Sequence, residues 1–114
     1  MRTLVVGPQA EEEFRAILRH SRQTFGPVIR HRYRLLIEQA WLDLCADPRR
    51  AGVKSLPGGL RLYPLRFSAR RVPAPHRIAR PRHLVAFRYD DDSVEIVRLL
   101  YEGMDLPGRL KPAD

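Results

Sequence analysis

Cysteine is nearly missing from this chain: Cys45 stands alone among 114 residues. An internal disulfide is therefore excluded, and a reducing cytoplasm is the expected setting. Long apolar runs are missing too, since none approaches the roughly 18 residues that cross a bilayer. The stretch after Met1 is too short for a secretory leader, so no membrane association is expected. No histidines and cysteines stand at metal-ligand spacing, and Asp90-Asp91-Asp92 reads as a turn, not a metal site. Gly58-Gly59 lacks the surrounding pattern of a phosphate-cradling loop. No metal, nucleotide or other cofactor is expected.

Acids are scarce relative to bases. Thirteen acidic residues face twenty-one basic ones, giving +8 and a pI near 10.7. Lysine contributes only Lys54 and Lys111 to that sum, so nearly all of the positive charge is arginine. The planar guanidinium suits phosphates, carboxylates and aromatic faces. Between Arg61 and Arg88 the chain carries eight arginines and no acid. A partner with negative charge follows: nucleic acid, a ribonucleoprotein or an acidic protein surface.

The apolar pattern divides the chain into elements of one domain, residues 1–114. Residues 3–6 read as a strand closed by Gly7-Pro8. Glu11, Glu12 and Glu13 then crowd the start of a helix whose later turns carry Arg15, Arg19, His20 and Arg22. That order complements the helix dipole, and the three glutamates read as a solvated helix start. Phe14, Ile17, Leu18 and Phe25 form its stripe. Gly26-Pro27 opens a second helix with a stripe of Ile29, Tyr33, Leu36, Ile37, Ala40, Trp41 and Leu44, ended by Asp47-Pro48. So short a link predicts an antiparallel helical hairpin.

Beyond Pro48, residues 49–59 read as a loop and 60–67 as an extended segment, with Pro64 arguing for an edge or a bulge. Residues 68–82, with Pro73, Pro75 and Pro81, read as a long irregular excursion or a frayed hairpin arm. Residues 83–89 and 94–101 are β-rich runs joined by a turn, which makes a β-hairpin. The predicted class is α+β: a two-helix hairpin packed on one face of a small, mostly antiparallel sheet in the order β-α-α-β-β-β, with the other face open.

This order resembles the RelE/ParE toxin superfamily, and the end of the chain makes the resemblance specific to its ParE branch. Ile96-Val97-Arg98-Leu99-Leu100-Tyr101-Glu102-Gly103-Met104-Asp105 follows the closing phrase of ParE-like toxins, and Leu110 supplies the later leucine. Pro57-Gly58-Gly59-Leu60-Arg61 and the run from Arg82-His83 to Phe87-Arg88-Tyr89 match as well. Tyr101 stands where histidine is common, and residues 68–82 exceed the tight link of many members.

The resemblance implies a type II toxin, silenced by a ParD-like antitoxin whose flexible acidic segment folds onto it. ParE-like members inhibit DNA gyrase by binding, without obvious catalysis. On that reading Arg61, Arg98, Tyr101, Met104, Asp105 and Leu110 form the target-binding surface. RelE-like members instead cut mRNA on the ribosome. Metal-free cleavage needs an acid, a base and positive charge on the phosphorane. Arg61, Arg98 and Tyr101 are then the catalytic candidates, with His83 as the nearest base by sequence.

Overall fold

The computed structural model describes residues 1–103. Strand β1 (Thr3–Val6) leads into helix α1 (Pro8–Phe25), and α2 (Pro27–Ala46) follows at once. Each helix takes a proline in its first turn, where the missing N–H has no partner to lose. Gly26 separates the two helices at φ +92°, a left-handed conformation open to glycine, and it lets the hairpin close without a longer loop. A two-residue strand β2 (Lys54–Ser55), β3 (Arg61–Pro64), short helix α3 (Arg66–Ala69), β4 (His83–Tyr89) and β5 (Ser93–Tyr101) complete the order.

The five strands form one mixed sheet in the order β1-β5-β4-β3-β2. β1 lies parallel to β5, and the other pairs are antiparallel. The expected loop at 49–59 thus contains an edge strand, and the expected extended segment at 60–67 stops at Pro64. Proline cannot extend the ladder, and Leu65 already has helical backbone angles. The Asp90 carboxylate accepts the N–H groups of Asp92 and Ser93, which explains the turn of the β4–β5 hairpin.

Side chains on the strands alternate between two faces. Tyr63, Val85, Phe87, Val94 and Ile96 join Leu36, Ile37, Ala40, Trp41 and Leu44 in the core beneath the helices. The opposite face was expected to be open, and it is not: Leu62, Leu84, Ala86 and Leu100 are buried there in a second small cluster with Leu56. The alternation breaks once. Ala86 stands opposite Arg98 while Phe87 stands opposite Ile96, so Val97 is the extra residue of a β-bulge. Past the bulge the faces swap. Leu99 therefore joins the helix-side core although it lies three residues after Ile96, and Tyr101 turns toward the helices with it.

The arm at 68–82 is folded, not frayed. Val72 is buried in the core, residues 74–76 form a 3-10 turn, and the Arg77 guanidinium donates to the carbonyls of Val72 and Arg70 at 2.7 Å. Its base is tied by Asp43, 2% exposed, whose carboxylate accepts from Ser68 Oγ and Arg71 Nε at 2.7 Å and from Gln39 Nε2 at 2.9 Å. Tyr63 shares a further hydrogen bond with Ser68 at 2.7 Å.

Candidate functional site

A groove of about 890 Å³ runs between the helical hairpin and the end of the arm. Ile17, Phe25, Ile29 and Ile78 give it apolar walls, while Arg32, Arg77, Arg80 and Arg82 line it with positive charge. None of the described side chains lining it is acidic. Phe25, assigned to the α1 stripe on spacing alone, is 65% exposed and forms part of this groove instead of the core. The buried positions of α1 are Ala10, Leu18 and Ser21, and Phe14 and Ile17 pack partly against the core.

One end of the groove is aromatic. Cross-strand pairing sets His83 opposite Tyr101, with ring centroids 5.4 Å apart. Tyr33 of α2 stands edge-on to the same histidine at 5.6 Å, its hydroxyl 3.3 Å from His83 Nδ1. Burial pushes the His83 imidazole below its usual value of 6.5, and the positive charge of His20 adds to that shift. Burial also raises the Tyr33 phenol, with Tyr101 adding and a backbone hydrogen bond from Arg82 opposing. The Arg82 guanidinium sits 5.5 Å over the Tyr101 ring and 3.8 Å from Glu102, which also pairs with Arg66. Tyr33, expected in the core by spacing, is half-buried against it and turns its hydroxyl to His83. The two positions Tyr33 and His83 are joined only by the pairing of distant elements, which no local pattern carries.

The arginines singled out in the sequence lie elsewhere. Arg61 is opposite Phe87, four residues along β4 from His83, or about 13 Å at the usual rise per strand residue. There its guanidinium sits 5.1 Å over the Tyr89 ring and donates to Ser55 Oγ. Arg98 is gripped by Glu13 of α1, with Nε 3.0 Å from both carboxylate oxygens and Nη2 2.8 Å from one. Hence Arg61, Arg98 and Tyr101 do not converge on one point. Met104, Asp105 and Leu110 lie outside the described residues.

Glu13 was read as part of a solvated helix start. Instead it is the partner of Arg98 and also accepts the backbone N–H of Leu99 at 3.0 Å, beyond the last residue of β5 that β1 pairs. A signal was present: Glu13 lies three residues after buried Ala10 and four before Ile17, on the inward side of α1. The eight-arginine stretch is also less free than its sequence implies. Arg66, Arg71, Arg82 and Arg88 are all in ion pairs, and Arg77 is spent on carbonyls. Among the described residues, no three potential metal ligands cluster, and no helix is long and apolar enough to cross a membrane.

A helical hairpin on one face of a five-stranded mixed sheet is the architecture of a solved protein titled "Chromosomal ParDE TA system from P. aeruginosa". The two superpose with a TM-score of 0.66 at 20% identity, over 89% of this chain and 96% of that one. Residues 4–106 match the family described as the ParE toxin of the type II toxin-antitoxin system parDE. The chain belongs to that family. No curated protein sequence matched it.

Proposed function

We propose that this ParE-family toxin arrests DNA gyrase in the cytoplasm by binding, and that a ParD-like antitoxin releases the arrest. The observation that carries the reading is the dispersal of Arg61, Arg98 and Tyr101. A phosphodiester-cleaving site needs its acid, base and cations within hydrogen-bond reach of one phosphate. Here Arg61 lies along the sheet from Tyr101, and Arg98 is bound to Glu13. A binding surface needs no such convergence. Arg61 and Tyr101, each with exposed area, fit that role together with Met104, Asp105 and Leu110 of the tail. Arg98 contributes to it only at its margin, its guanidinium being held by Glu13.

The groove suits the antitoxin. An amphipathic segment would set apolar side chains on Ile17, Ile29 and Ile78 and carboxylates against Arg32 and Arg80. One observation favours a second reading, ribosome-dependent mRNA cleavage: His83 and Tyr101 are in ring contact, a possible base beside a possible acid. Two parallel assays on the antitoxin-free toxin separate the readings. Inhibited supercoiling with intact mRNA supports gyrase as target. Cut mRNA on ribosomes with unaffected gyrase overturns it and makes His83 and Tyr101 the catalytic pair.

A further inference from the structure

A second concentration of charge lies away from the groove, at the end of the sheet where the β4–β5 hairpin turns. Three guanidiniums from distant parts of the chain meet one ring there. Arg2, just before β1, sits 5.2 Å over the Tyr89 ring, and Arg61 of β3 sits 5.1 Å over it. Arg49, in the loop after α2, donates from Nε to the Tyr89 hydroxyl at 2.7 Å. We propose that Arg2, Arg49 and Arg61 form a phosphate-binding site around Tyr89, and that the phosphate belongs to a nucleic-acid backbone.

Like charges this close repel unless an anion stands among them. Four arginines between Arg61 and Arg88 have carboxylate partners, yet among the described residues none of these three does. Asp47 and Asp90 offset part of the charge on Arg49 and Arg2, but neither forms an ion pair with them: Asp47 accepts the N–H of Arg49, and Asp90 accepts those of its own turn. Arg2 and Arg61 spend single hydrogen bonds on the Asp90 carbonyl and Ser55 Oγ. The remaining N–H groups of three forks are left for a ligand, and a phosphate accepts such forks in pairs. The hydrogen bond from Arg49 also holds the Tyr89 phenol below its ordinary range, opposed by burial and aided by the charges of Arg49, Arg61 and Arg2.

The same geometry selects the kind of ligand. These contacts are exposed, so salt weakens the hold on a single free phosphate ion. A polymer of phosphates recovers affinity by releasing counterions. Contacts from guanidiniums to phosphates carry no base sequence, so sequence-independent binding follows.

Fluorescence anisotropy of a short labelled DNA duplex, titrated with the full-length toxin over a range of salt, tests the site. The variant carrying Arg2→Gln, Arg49→Gln and Arg61→Gln should lower the slope of log affinity against log salt by about one per arginine. A control carrying Arg19→Gln, Arg22→Gln and Arg30→Gln loses the same charge from the helical hairpin and should keep most of the slope. Arg2→Gln alone, at a position ahead of the first strand, should lower it by about one and guards against misfolding of the triple variant. Equal losses in both triple variants, or none in either, overturn the proposal. So does a site that inorganic phosphate saturates while duplex fails to compete. The site shares Arg61 with the gyrase reading, yet the two fail separately: duplex bound here with supercoiling untouched keeps the one and ends the other.

Discussion

The carboxylate of Glu13 on α1 holds the guanidinium of Arg98 on β5 at 2.8 to 3.0 Å and also accepts the Leu99 N–H. Both side chains are about one-fifth exposed. One helical carboxylate thereby serves the free edge of β5 beyond its pairing with β1. Glu13→Ala should cost about 2 kcal/mol, the usual cost of losing hydrogen bonds to a charged group. Urea unfolding measures it. A change below about 0.5 kcal/mol, the range of ordinary surface substitutions, would show that the pair carries no weight.

Asp43 should matter more. Its carboxylate is 2% exposed and faces donors from Ser68, Arg71 and Gln39. Asp43→Asn puts an amide donor where donors already point. It should cost about 3 kcal/mol, as removing one member of a buried ionic network does. The base of the arm should loosen as well, so trypsin should cut at Arg70, Arg71 or Arg77 faster than in the parent protein.

Stability should fall on the acid side of neutrality through His83. Its folded pKa lies below 6.5, so between those two values the unfolded chain binds the extra proton. Stability contributed by neutral His83 is present above 6.5 and is lost as pH falls toward the folded pKa. Melting temperatures measured from pH 8 downward should show this decline, and His83→Gln should flatten it. An unchanged pH profile in the variant would assign the decline to other groups.

Gly52 is held at φ +98°, and a Cβ there would come within 2.6 Å of the Phe67 ring. Gly52→Ala should destabilise by about 1–3 kcal/mol from backbone strain, plus the clash. In a Phe67→Ala background the clash is gone, and the same substitution should cost less. Equal costs in both backgrounds would contradict the contact.

Much of this was legible in the sequence where the signal is local. Prolines 8 and 27 mark the helix starts, and the apolar runs at 83–89 and 94–101 mark the hairpin, close to the observed bounds. What escaped depends on pairing between distant residues. The bulge at Val97 decides that Tyr101 and not Leu100 faces the helices, and nothing in the local run announces it. Glu13 looks like a surface acid until the fold brings Arg98 to it, and no local pattern marks Asp43 as the partner of Ser68. The eight arginines were visible as a charge block, but not that four of them are paired.

Inhibition of DNA gyrase by binding, as proposed, is read out by a supercoiling titration. Purified toxin added to DNA gyrase should stop supercoiling at ratios near one toxin per binding site. Cleaved DNA complexes should accumulate, and an antitoxin that folds onto the toxin should restore activity. Full gyrase activity at a large excess of properly folded toxin would rule out gyrase as the target.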